Sequence, residues 1–180
     1  MGSQPTNHKS RARGFTLIEM MVGASLACMI LFFLVLFFVF GIHSFAAMSN
    51  YSDLNKQSRY ASDLLSRDIR LAPSVNGTST SNTLVLNGSS GPTYAYSPTS
   101  RTLTRTVSGV SQTLLKEVDS LRFTLYQRPL SNATYGVFPV ATNASVAKLV
   151  AFQWTCSRKV ANYATNTECL QTALVEMRNE

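Results

Sequence analysis

No aspartate, glutamate, lysine or arginine occurs between Met20 and Ser52. Charged residues make up only 14% of the 180-residue chain, against roughly a quarter in a soluble domain. Because that shortage is concentrated in one run, the chain cannot be a soluble globular protein throughout. Histidine is almost as scarce. His8 and His43 are the two present, and 73–180 holds none, which excludes Ser–His or Cys–His catalysis and His-ligated metals from that part. Three cysteines are too few for a disulfide scaffold, and no internal repeat is visible. The net charge of +7 shrinks once Lys9, Arg11 and Arg13 are set aside, because all three precede the apolar run. The remaining excess of base is mild and scattered, so composition alone does not point to nucleic acid.

What is there divides into three parts. A polar head, Met1–Gly14, ends in the three basic residues and a glycine. An apolar stretch begins at Phe15 and continues through Ile42. About 20 such residues suffice to cross ~30 Å of hydrocarbon as a helix, so the spanning part is expected at about 20–42. Lys9, Arg11 and Arg13 should hold the N-terminus in the cytoplasm and send the C-terminal part out. No proline interrupts Phe15 to Ala72. In the second half of that stretch Tyr51, Leu54, Ala61, Leu65, Ile69 and Ala72 recur at helical spacing, with Leu64 widening the stripe and Ser58 inside it. Asp53/Lys56, Arg59/Asp63 and Asp63/Arg67 stand at neighbour distance for ion pairs on a helix surface. Pro73 ends the pattern. One helix over 15–72 would measure on the order of 85 Å; only its first half fits in lipid, so the Tyr/Leu stripe must pack on protein.

After Pro73 the period becomes alternating. Asn82–Asn87, Thr93–Ser97, Arg101–Thr106, Leu114–Val118, Leu121–Tyr126, Val146–Trp154 and Thr172–Met177 read as strands of an antiparallel sheet, with Pro98 turning the second pair. Leu130–Thr142 and Ser157–Glu168 read as loops. The fold class is therefore α+β: a long N-terminal α-helix, transmembrane then amphipathic, packed on an antiparallel β-sheet ectodomain at 73–180.

Glu19 is the one formally charged residue between Phe15 and Ser52. An acid at the centre of a spanning helix costs about 2.5–3.5 kcal/mol and less near an interface. It can snorkel to the headgroups, or it can meet a positive charge inside an assembly. Arg13-Gly14-Phe15-Thr16-Leu17-Ile18-Glu19, with its basic leader and long apolar continuation, resembles the class III signal of type IV prepilins and pseudopilins. The resemblance implies cleavage between Gly14 and Phe15 by a prepilin peptidase, removal of leader 1–14, and N-methylation of Phe15. It further implies that Glu19 pairs with the terminal amine of a neighbouring subunit, an arrangement in which each buried charge offsets the other. The anchor is kept, unlike that of an ordinary signal peptide. Many such helices carry a proline about two-thirds along the apolar segment; Leu36 stands in that region here, which implies a straight helix. Leu64–Arg70, Tyr94-Ala95-Tyr96, Leu103-Thr104-Arg105 and Leu115–Tyr126 resemble minor pilins of the W type and minor pseudopilins of the J type.

On this resemblance the chain is expected to be a structural subunit rather than an enzyme, with no cofactor and no metal. It would lie in the inner membrane with its C-terminal domain exported, and then enter a filament at initiation or the tip. A J-type pseudopilin of a type II secretion system is the rival within the class; a membrane-tethered module binding DNA or another ligand is the rival outside it. The expected partners are the prepilin peptidase/methyltransferase, other pilins or pseudopilins through the N-terminal helix, the inner-membrane assembly platform, and the membrane. Arg101, Arg105, Arg122, Arg128, Arg158 and Lys159 are candidate DNA contacts, with ordinary solvated charge as the competing reading. Tyr94, Tyr96, Phe123, Tyr126 and Trp154 read as core and sheet-surface aromatics. Cys156 and Cys169 can form a disulfide once exported, worth roughly 3 kcal/mol in the chain-entropy model, or stay as thiols; Cys28 reads as a membrane-facing structural cysteine. Glu117, Asp119, Glu168, Glu176 and Glu180 show no metal-ligand spacing.

Overall fold

The structure, a computed structural model, describes residues 14–87, 91–129, 137–159 and 168–177. The basic leader residues Lys9, Arg11 and Arg13 lie outside them, as do most of the expected loops after Leu130 and Ser157. The chain forms two compact units, Met1–Ile42 and His43–Glu180. One α-helix, α1 (Leu17–Leu71), contributes to both and is unbroken, as the missing proline leads one to expect.

In the first unit α1 is bare. Every described residue from Gly14 to Ile42 is exposed, including Phe32, Phe33 and Phe38. Among the described residues this surface stays exposed, and the helix is long and apolar enough to cross a bilayer.

In the second unit the same helix is amphipathic and buries Leu54, Ser58, Ala61, Ser62, Leu65, Asp68 and Ile69. Tyr51, expected in that stripe, is instead 49% exposed. Two antiparallel sheets meet the helix where one was expected. The first orders β1 (Ser74–Val75), β2 (Thr83–Asn87), β3 (Thr93–Ser97), β4 (Thr102–Val107) and β5 (Val110–Leu115) side by side. The second holds β6 (Val118–Tyr126), β7 (Leu149–Ser157) and β8 (Glu168–Glu176). Phe123 N–H donates to Ser81 O at 2.8 Å, and Tyr96 Oη donates to Asp119 O at 3.0 Å, joining the sheets along β6. Their inner residues (Leu84, Tyr94, Leu103, Leu115, Phe152, Trp154) form one core with Leu65 and Ile69.

Several boundaries differ from the sequence pattern. Leu114–Val118 is not one strand: β5 ends at Leu115, and a turn with Glu117 at φ 60° leads into β6. Residues 144–146 form a 3₁₀ turn capped by Asn143, and β7 starts only at Leu149. β4 and β5 are joined through Ser108 (φ 50°) and Gly109 (φ 80°), the two-residue left-handed turn that matches hairpin twist. Gly91 is fixed by space, since a Cβ there would stand 2.0 Å from Leu86 O.

Two polar groups in the helix stripe have partners on the sheets. Trp154 Nε1 donates to Ser58 Oγ at 2.8 Å, which satisfies a donor that burial would otherwise strand. Asp68 accepts from Tyr94 Oη at 2.7 Å and pairs with the Arg105 guanidinium at 2.7 Å. Burial, together with the Asp68 carboxylate, pushes the Tyr94 phenol well above its ordinary value. The surface pairs expected along the helix do not form; Asp53 instead faces Arg158 at 3.9 Å.

Candidate functional site at the helix N-terminus

Gly14, Phe15 and Thr16 precede the helix, and Leu17 opens it. Thr16 and Glu19 form a reciprocal cap. The Glu19 carboxylate accepts from Thr16 N–H at 2.8 Å and Thr16 Oγ1 at 2.9 Å, while Glu19 N–H donates to Thr16 Oγ1 at 3.3 Å. This is a capping box: it satisfies amide donors that the first turn leaves open, and it sets a carboxylate where the helix dipole favours one. Thr16 is a site residue that reading along the charges passes over, although its signal, Thr-x-x-Glu ahead of an apolar run, stands in the sequence.

The cap shapes what lies on both sides of it. Phe15 is 83% exposed, so cleavage after Gly14 would place the new amine one residue before the capping threonine. A Cβ on Gly14 would meet no atom within 4 Å. The chain's own fold therefore does not require glycine there, and any such requirement belongs to a processing enzyme. Beyond Glu19, the absent side chain of Gly23 leaves a shallow, open groove lined by Ile18, Glu19, Val22, Gly23 and Leu26. An acid beside an apolar notch suits close approach by another helix bearing a cationic end.

Residues 9–35 match a family model described as the prokaryotic N-terminal methylation motif. The chain carries a type IV prepilin-like signal. No curated protein and no solved structure matches it. The prepilin-like signal and the apolar helix support a membrane-anchored subunit of the pilin or pseudopilin type, and the motif implies processing by a prepilin peptidase and assembly with other pilins. The motif's family is structural rather than catalytic.

The other residues singled out in the sequence fall elsewhere. Cys28 is exposed on the helix. Cys156 and Cys169 stand directly opposite each other on β7 and β8; both are buried and are thiols in this structure. Burial pushes the Cys156 thiol up to about 12, with the neighbouring Cys169 adding to the shift. Three of the arginines are taken up by acids. Arg105 is taken up by Asp68, Arg101 by Asp119 and by the carbonyls of Glu117 and Ser157, and Arg158 by Glu117 at 2.6 Å. Arg122 and Arg128 are exposed. Tyr94, Phe123 and Trp154 are buried, and Tyr96 and Tyr126 are half-buried. No group of three His, Cys, Asp or Glu able to hold a metal occurs among the described residues.

Proposed function

We propose that the chain, once leader 1–14 is removed and Phe15 methylated, is a minor structural subunit of a type IV pilus or a related filament, acting at initiation or at the tip. In this reading the spanning part is about 20–42, the N-terminus is cytoplasmic, and 73–180 is exported on a helix covering 15–72. The observation that carries it is the prepilin-like signal running directly into a helix whose apolar surface is exposed among the described residues. Such a surface is tolerable in lipid, and equally among like helices, so a subunit can pass from one to the other without exposing it to water. Glu19 would exchange its Thr16 contacts for a neighbour's terminal amine, setting register. The ectodomain's resemblance to W-type minor pilins and to J-type minor pseudopilins alike supports a minor role, and it does not separate the two.

Processing and assembly are separable in the test. Gly14→Ala should leave the leader attached in cells with a working prepilin peptidase, read by intact mass. Glu19→Val should be cleaved normally yet vanish from the sheared filament fraction. A chain that only tethers a binding domain would keep its activity and its distribution in both variants, and that result would overturn the reading.

A further inference from the structure

The half of α1 that packs on the sheets presents a charged ridge to solvent. Lys56, Arg59, Asp63, Arg67 and Arg70 recur every three or four residues, which sets them on one face over about 21 Å of helix. All five are exposed, and Tyr60 stands among them at 55% exposure. The cations are not used inside the fold. Among the described residues Lys56, Arg59 and Arg70 have no ion-pair partner. Arg67 comes within 3.8 Å of Asp68, a carboxylate already held by Arg105 and Tyr94. Asp53, one turn before Lys56, faces Arg158 instead. Lys56/Arg59 and Arg67/Arg70 are like-charged neighbours on the helix surface, an arrangement that weakens a helix. No described contact offsets that cost.

The pattern and composition of the ridge select its occupant. A second copy of this chain does not fit. Asp53, Asp68, Glu117 and Asp119 are taken up by arginines of their own unit, and Asp63 and Glu176 are the carboxylates left among the described side chains. Two ridges face to face would set cation against cation, which suppresses the contact. A uniform polyanion such as nucleic acid fits less well than a protein, because Asp63 interrupts the row midway and repels a phosphate backbone. A helix with acids at both ends of its contact and a base between them meets every charge. Arginine and tyrosine are also the residues enriched at the hot spots of protein interfaces.

We propose that this ridge docks an acidic helix face on a different subunit of the same filament. Acids of the partner stand against Lys56 and Arg59 and against Arg67 and Arg70, a base stands against Asp63, and Tyr60 packs between them. A face that repels its own kind and takes an acidic neighbour gives the chain a place in a mixed assembly and does not propagate a fibre by itself. That agrees with a minor role at initiation or the tip, and the inference rests on the filament reading.

The test uses the full-length chain in cells carrying its own prepilin peptidase, assembly platform and companion subunits, with benzoylphenylalanine in place of Tyr60. Irradiation should give an adduct in which mass spectrometry finds a different prepilin-like subunit, joined through an acidic stretch of its helix. Arg59→Glu with Arg67→Glu should lower the adduct yield about tenfold, as reversal of two cations at a charge-paired contact does. Cleavage after Gly14 and the level in the membrane should stay unchanged, and lysines in place of the partner's cross-linked acids should restore the yield. Adducts with copies of this chain alone overturn the proposal. So does a yield indifferent to the charge reversal; if that reversal also abolishes binding of a DNA duplex by the detergent-purified chain, the ridge belongs to nucleic acid. No adduct from subunits present in sheared filaments in a Glu19-dependent way overturns the docking and leaves the filament reading standing. A sheared fraction indifferent to Glu19→Val removes the filament reading itself.

Discussion

Thr16 does for the isolated subunit what a neighbour's amine is proposed to do in the fibre: it gives the Glu19 carboxylate hydrogen-bond donors. Thr16→Ala removes the cap, at a cost of about 1 kcal/mol to the first helical turn. Amide exchange at Leu17–Glu19 should speed up in detergent micelles while cleavage after Gly14 continues. Asp68 is the other acid that organises its surroundings. Tyr94→Phe leaves the Asp68–Arg105 pair intact and should cost about 1 kcal/mol. Asp68→Ala leaves the half-buried Arg105 guanidinium and the buried Tyr94 hydroxyl without their shared acceptor and should cost more, about 2–3 kcal/mol, both read from urea unfolding of the full chain in detergent. Of these residues, Glu19 was legible because it interrupts an uncharged run. Asp68 was not: a helix carries many charges, and nothing in Ser66-Arg67-Asp68-Ile69 says which one turns inward to meet a tyrosine 26 positions on.

At the scale of elements, the helix stripe was legible because the spacing of Leu54, Ala61, Leu65 and Ile69 admits one burial geometry, whereas strand ends were not. Lys116-Glu117 makes a turn without glycine, proline or asparagine, held by Glu117, whose carbonyl accepts from Ser157 N–H and Arg101 and whose carboxylate accepts from Arg158, rather than by local preference. β8 begins ahead of the apolar residues that suggested it, because its inward positions include Gln171, whose Nε2 lies 3.5 Å from Ser62 Oγ, and Cys169. That same register makes the β7–β8 cysteines a candidate cross-strand bond, which we expect in the exported protein; mass spectrometry without reduction should find the two linked. The thiol form carries a pH signature. Folding raises the Cys156 value from 9.0 to about 12, so the stability from its protonated form is complete below pH 9 and is lost as pH rises towards 12. The raised Tyr94 phenol acts in the same direction, from about pH 10 upward. The urea midpoint should therefore fall across this window, and more steeply for the reduced protein than for the linked one.

At the scale of the molecule, the two-unit division predicts how the chain can be cut. A chain beginning at His43 keeps Leu54, Ala61, Leu65 and Ile69 over the sheets and should unfold cooperatively in water. One beginning at Pro73 loses that cover together with Ser58 and Asp68, and should show no cooperative transition by circular dichroism. The α+β class, the long apolar helix and the isolated acid Glu19 could all be read along the chain, since each follows from local period or composition. The split into two sheets could not. The break falls at the Lys116-Glu117 turn, with Glu117 at φ 60°, and the contacts that rejoin the sheets, Tyr96 with Asp119 and Phe123 with Ser81, lie between residues far apart in sequence.

The lone tryptophan has a practical consequence. Trp154 is fully shielded, stacked on Phe152 with ring centroids 4.9 Å apart, and tied through its indole N–H to a serine on the helix. Its fluorescence is thus a built-in optical gauge of whether the rod and the sheets are still clasped. Blue emission marks the intact clasp, and a red shift on adding a chaotrope, or on replacing Ser58 with a bulky side chain, would mark its opening without any added dye.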